Sequence, residues 1–273
     1  MEKSKGMLTL VGTPIGNAGD LSQRGLQALL DADVIACEDT RRSLPFLLGR
    51  GVKKPLVSYH KHNEKSGAEH LLSLLEQGKN VALVTDAGMP AISDPGAQVV
   101  RLARSAGIKV TCAPGPTALT TAAALSGLTG AFCFLGFLPQ KAKERSLLLS
   151  KFAPLPAALI FYISPHDLKK DLDFLYSSLG KRKITLVREM TKLFEEVIEG
   201  ELGETDGIEP RGEFVLIVHA GEEQEGAEDP RELLKSLLEG GTDKKSAIKQ
   251  VAARCKLPRD TVYKMALGQE GEE

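Results

Sequence analysis

The feature that most constrains this chain is its alternation of short apolar runs with amphipathic stretches. Leu8 to Val11, Val34 to Cys37, Val81 to Thr85 and Ile108 to Ala113 are largely apolar, the pattern of strands covered on both faces. Between them, Leu26, Leu29 and Leu30, then Leu71, Leu74 and Leu75, recur at i, i+3, i+4, which predicts helices with one buried stripe. Strand and helix in repetition predict an α/β unit with a mostly parallel sheet, since parallel neighbours need a crossover. Asp20 with Gln23 predicts a capping box, and Asp94-Pro95 an N-cap followed by proline at the first helical position.

After Pro114-Gly115-Pro116, the small-residue run Thr117 to Leu128 predicts a closely packed connecting helix. A second α/β unit follows, with strands over Ala157 to Tyr162, Ile184 to Arg188 and Glu213 to His219, and a helix over Leu168 to Leu179. The expected division is therefore an N-terminal domain over 1–118 and a second domain over 119–220. Residues 221–241 hold seven acidic and two basic side chains and are expected to be an acidic linker. Residues 242–273 are expected to form a helix-turn-helix-like tail: Ile248, Val251, Ala252 and Cys255 make one stripe, Val262, Met265 and Ala266 another, with a break at Lys256-Leu257-Pro258. Residues 242–268 carry seven basic and two acidic side chains, open to two readings, nucleic-acid contact or a solvated basic face.

A chain of 273 residues with 42% hydrophobic and 26% charged residues buries a core without disulfides or metal, and is neither disordered nor collagen-like. Its formal charge of −1 removes whole-molecule attraction to nucleic acid, so an anionic partner must meet a local basic patch. Cys37, Cys112, Cys133 and Cys255 are widely spaced with no CxxC pair, as expected for buried thiols in a reducing compartment. The opening MEKSKGMLTLVG has too short an apolar run for a signal peptide, and no run reaches membrane-spanning length. The expectation is a soluble, cytoplasmic protein with no membrane partner.

Open α/β sheets bind ligands at the carboxyl ends of their strands, and four loops there are unusual. TPIGN, Thr13 to Asn17, lacks the GxGxxG of dinucleotide folds, but Pro14 and Gly16 allow a tight turn and close backbone approach. CEDTRR, Cys37 to Arg42, ends a buried strand with two carboxylates and two guanidiniums, costly unless paired or used; it is either a helix start capped by Asp39 or a substrate contact. TDAGMPAISDPG, Thr85 to Gly96, packs two Asp, two Gly and two Pro into one connection, longer than the roughly two to six residues such a link needs. It predicts a binding loop for an adenosine or amino-acid moiety. APGPTA, Ala113 to Ala118, leads into a helix start suited to a carboxylate, or is a rigid turn. In SYHKHNE, Ser58 to Glu64, His60 and His62 lack a third ligand, so a polar substrate or structural loop is expected and no metal. Lys141, Lys143, Arg145 and Lys151 follow GFLP as a phosphate patch or a solvated helix face.

TPIGN, CEDTRR, SYHKHNE, TDAGMPAISDPG, APGP, GFLP, SPH and GEFVL occur in that order. In this the chain resembles the ribosomal RNA small-subunit methyltransferase I family, a branch of the tetrapyrrole (precorrin-type) methylases, over residues 7–219, and its tail resembles that family's helical extension. The resemblance implies a two-domain tetrapyrrole-methylase-like α/β fold, with a parallel-rich N-terminal sheet, a mixed-sheet second domain and a small C-terminal helical unit. It implies a homodimer with S-adenosylmethionine in the cleft between the domains. It further implies 2′-O-methylation of a cytidine ribose in the decoding region of 16S (small-subunit) rRNA, within the small ribosomal subunit. Carried over, Pro14 lies on the first cofactor-proximal loop, and Asp86, Gly88, Met89, Pro90 and Ile92 supply the central cofactor loop. Thr117 and Ala118 follow the Pro-Gly-Pro turn, while Tyr162 and Phe214 close over the adenine. Met89 stands where the family has Thr, Gln140 and Asp167 where it has Arg, Ile163 where it has Glu, and Phe194 where it has His.

The reaction so implied is an in-line displacement, for which positioning alone supplies roughly 7–11 kcal/mol in the best cases. A base for the weakly acidic hydroxyl adds about 10²–10⁴-fold; Asp39 is the first candidate and Glu189 the second. Arg41, His60, Lys141 and Arg145 are the candidate substrate contacts, with Arg41 and Lys141 on phosphate or the developing alkoxide. Competing expectations are methylation of a tetrapyrrole or a protein side chain, and a non-catalytic ribosome-assembly factor, which the family departures favour.

Overall fold

The computed structural model describes residues 4–204, 207–221, 229–255 and 257–267. The chain divides into two compact units, 1–220 and 221–273. The first opens with five strands, β1 (Met7–Val11), β2 (Val34–Cys37), β3 (Leu56–Ser58), β4 (Val81–Leu83) and β5 (Lys109–Ala113). They form an all-parallel sheet in the order β3-β2-β4-β1-β5, linked by helices α1 (Gln23–Asp31), α2 (Thr40–Leu48), α3 (Glu64–Glu76) and α4 (Ala97–Ser105). Both faces are covered, which is why the interior strands β2 and β4 are apolar and buried at every position. On β2, Val34 and Ala36 join the core under α3 and α4, while Ile35 and Cys37 join the one under α1 and α2.

Helix α5 (Ala118–Leu125) leads to the second sheet, built from β6 (Phe132–Phe137), β7 (Ala158–Ile163), β8 (Lys183–Arg188), β9 (Glu196–Glu201) and β10 (Phe214–Val218). Its order is β6-β7-β10-β8-β9; β6 and β7 are parallel and the other pairs antiparallel. Leu149 of α6 (Ala142–Phe152) and Leu168, Leu172 and Leu175 of α7 (Leu168–Leu179) pack on one face. Ala122 of α5 packs against Ile160, Val187, Val215 and Ile217 on the other. The unit is thus a parallel and a mixed sheet joined through α5, the α/β arrangement the resemblance implies.

Several local expectations are corrected. Ser22, not Asp20, caps α1, its Oγ accepting from Gly25 N–H at 3.0 Å; Asp20 belongs to a 3₁₀ turn capped by Asn17. Asp94-Pro95 does not start α4, which begins at Ala97 behind Gly96, whose φ of +153° suits glycine. The acidic stretch 221–241 carries α8 (Pro230–Glu239), capped by Asp229 with proline in its first turn; residues 222–228 lie outside the described residues. In this second unit, Leu233 and Leu234 of α8 pack on Ala247, Ile248, Val251 and Ala252 of α9 (Lys244–Arg254) and Val262 of α10 (Arg259–Ala266). Among the described residues no helix is long and apolar enough to cross a membrane.

Candidate functional site

The loops leaving β1, β4 and β5 are tied together by their backbones. Thr13 N–H donates to Gly88 O at 2.9 Å and Gly88 N–H to Thr13 O at 3.1 Å, a short antiparallel bridge between loops of two parallel strands. Thr13 Oγ1 donates to Thr85 O at 3.0 Å. Gly88 completes the bridge at φ +82°, a conformation a side chain would disfavour. The first loop also docks on the second sheet's loop 189–195, where Asn17 N–H donates to Thr191 Oγ1 at 2.9 Å. Glu189 and Thr191 there hold φ of +49° and +65°, and for a β-branched residue this is a genuine outlier.

Above this floor lies a cavity of about 370 Å³ lined by both sheets, including Ile15, Met89, Ile92, Phe137, Tyr162 and Phe214. Its aromatic wall depends on a bulge. In a regular strand residues 134 and 137 point to opposite faces, but the register of β6 shifts between Phe134 and Gly136, where Gly136 has φ +65°. The extra residue brings both rings onto Tyr162, at centroid distances of 4.9 and 5.6 Å. Burial raises the Tyr162 hydroxyl above its ordinary value. Asp94, at the cavity edge, is likewise pushed up by burial, with a Thr85 hydrogen bond pulling against it and Asp86 adding to it.

A second cavity, also about 370 Å³, shares Ile15, Ala87 and Glu213 with the first. Its remaining walls include Thr13, Pro14, Asp86, Arg42, Phe46 and Lys192. Arg42 Nη1 is 3.2 Å from Asp86 Oδ2. Asp86 Oδ1 is buried without a hydrogen-bond partner. Lys192 Nζ donates to Glu189 Oε1 and Glu213 Oε2, both at 2.9 Å.

Gly88, Met89, Ile92, Thr117, Ala118, Tyr162 and Phe214 therefore meet at the first cavity, Pro14 and Asp86 at the second. Pro90 is buried and lines neither. Asp39 lines neither: it caps α2 and receives Arg41 Nε and Nη2 at 3.0 and 2.8 Å, contacts that hold its carboxyl at about 2. Glu189 is clasped by Lys192 and by Glu213 N–H at 2.9 Å, the Lys192 bond first among the causes that lower it. Arg41 is thereby committed to Asp39, and His60 Nδ1 accepts from Asn63 N–H at 3.2 Å. Lys141 pairs with Glu144 at 3.0 Å on the surface. Arg145 is not at the surface; it is 3% exposed, 2.8 Å from Asp171 Oδ1 and bonded to Pro139 O. Sequence reasoning missed Phe137, Met190, Glu213, Arg42 and Lys192 as lining residues, although the GFLP, CEDTRR and GEFVL motifs contain or adjoin three of them.

The family model of the Tetrapyrrole (Corrin/Porphyrin) Methylases matches residues 7–206. The chain is 42% identical over 271 residues to the ribosomal RNA small subunit methyltransferase I of Halalkalibacterium halodurans, covering 95% of this chain and 94% of that one. The protein of the same name from Escherichia coli O157:H7 is 41% identical over 281 residues, covering 99% and 98%. Among solved structures, the methyltransferase CobJ superposes with a TM-score of 0.63 at 21% identity, over 79% of this chain and 95% of that chain. Diphthine synthase does so at 0.65 and 16%, over 78% and 90%. The structural likenesses speak to fold alone.

Proposed function

This chain belongs to the tetrapyrrole methylase family, among its ribosomal RNA small subunit methyltransferases I, and on that premise we propose that it methylates the 2′-oxygen of a cytidine ribose. The acceptor lies in the decoding region of 16S rRNA within the small ribosomal subunit, the methyl donor is S-adenosylmethionine, and the enzyme works as a cytoplasmic homodimer.

The observation that carries this reading is the first cavity. Its walls fit such a donor. Tyr162, Phe137 and Phe214 offer aromatic and apolar surface for a purine. Thr117 caps the start of α5, where a carboxylate is favoured. When bound, S-adenosylmethionine supplies an electrophilic methyl group.

The chain's own residues do the rest. The Thr13–Gly88 bridge fixes the floor, so reacting atoms are held in line without reorganisation. Phe137 and Tyr162 exclude water from the apolar side. We assign the proton of the attacking hydroxyl to Glu213, because it lines both cavities, whereas Asp39 and Glu189 line neither.

The test is methyl transfer from labelled S-adenosylmethionine to small subunits lacking the modification and, separately, to naked rRNA, with the product nucleoside identified. A 2′-O-methylcytidine product is expected from assembled subunits. Label on another nucleoside or on protein would overturn the assigned acceptor, and binding of the donor without transfer to any RNA would overturn the activity.

A further inference from the structure

The second cavity differs in chemistry from the first. One wall is a face of α2, where Arg42, Ser43, Phe46 and Leu47 recur at helical spacing. The Phe46 ring is fixed by the Arg50 guanidinium, 3.9 Å from its centroid, and Arg50 is anchored in turn on Phe46 O and Ala18 O. Arg42 is 76% exposed and touches Asp86 through one terminal nitrogen, of the five N–H donors a guanidinium carries. Lys192 stands on the loop that also holds Glu189 and Thr191 in the left-handed region. Strained residues of this kind cluster where a loop must be held in one shape for a ligand.

A guanidinium with spare donors, an aromatic ring and a wall shared with the donor cavity match the parts of one ribonucleotide. A phosphate suits Arg42, a base suits the ring, and the ribose then lies at the wall formed by Ile15, Ala87 and Glu213, the last held by Lys192. About 370 Å³ is small-ligand size and excludes a stacked or paired strand. We propose that this chamber receives the acceptor nucleotide singly, extruded from its neighbours, with Arg42 gripping the adjoining phosphate. The inference rests on the rRNA-methylating reading above and adds to it where and in what form the acceptor enters.

The test uses the full chain, labelled S-adenosylmethionine and small subunits lacking the modification. Arg42→Gln is expected to raise KM for the subunit about tenfold, the scale of one lost charge-assisted contact, with kcat little changed. It is also expected to lower the salt slope of log kcat/KM by about 1. Arg42→Lys, which keeps the charge, is expected to restore that slope. Donor affinity by calorimetry stays near wild type. Because Arg42 is largely exposed, its variants are expected to fold. Unchanged KM and salt slope in the Arg42 variants would overturn the proposal, as would a loss explained by donor affinity. Failure of the unsubstituted enzyme to methylate any RNA would instead defeat the parent reading, and is visible before any variant is made.

Discussion

Gly12 and Gly115 lie backbone to backbone: a Cβ on Gly12 would fall 2.6 Å from Gly115 N, and one on Gly115 would fall 2.8 Å from Gly12 O. The loops after β1 and β5 can therefore meet only because both positions lack a side chain, and a Cβ on Gly12 would also fall 2.6 Å from the Sδ of Met89, which lines the first cavity.

Gly12→Ala is accordingly expected to cost about 1–3 kcal/mol in urea unfolding, as overpacking of a rigid site does, and to weaken donor binding in parallel. Unfolding and binding both at wild-type values would show that the two loops can part freely.

Asp39 and Glu213 separate cleanly in a kinetic test. The Arg41 side chain and backbone N–H hold Asp39 at about 2, too acidic to take a proton near neutrality. Asp39→Asn is expected to keep its turnover, while Glu213→Gln loses about 10²-fold or more. The reverse pattern, with normal donor binding, would return the base to Asp39.

Asp94 gives a pH signature. Burial raises its folded-state value above the 3.8 of an unperturbed carboxyl, so its contribution to stability is intact below the unfolded value and lost as pH rises through the folded one. Asp94→Asn should then be more stable than wild type at neutral pH without ligand, the gap closing as pH is lowered toward 3.8. Melting temperatures across that range decide it; a gap that widens on acidification would contradict the burial argument.

Arg145 and Asp171 form a buried pair, 3% and 6% exposed. Arg145→Met leaves a carboxylate without its partner and should cost about 3–5 kcal/mol, whereas Arg145→Met with Asp171→Leu should recover most of it. Equal loss in the single and double variants, measured by chemical denaturation, would mean that the Pro139 contact rather than the ion pair matters.

Much of this was readable in advance, for identifiable reasons. Strands such as β2 and β4 are covered on both faces, so every residue reports burial. The Thr85 to Gly96 loop was conspicuous because its glycines and prolines answer local backbone demands. What escaped is non-local or sits at an edge. β9, EVIEGE, is a polar edge strand whose sequence carries little apolar signal, and β3 is only three residues long. The bulge that turns Phe137 into the cavity is set by pairing with β7. Arg42 reads as one member of a charged run until α2 is given a direction. Lys192 and Glu213 lie 21 residues apart and become neighbours only once β8 and β10 pair. Arg145 looked like surface because nothing in its own segment announces Asp171.

The Thr13–Gly88 bridge has a consequence for motion. Its two amides bond just beyond the carboxyl ends of β1 and β4, interior strands of the parallel sheet, so they are expected to exchange hydrogen with solvent more slowly than the amides of free loops. Motion that opens the first cavity falls to the opposite side, to Phe137 on its bulge. The two sides of one cavity are in this way assigned to different clocks.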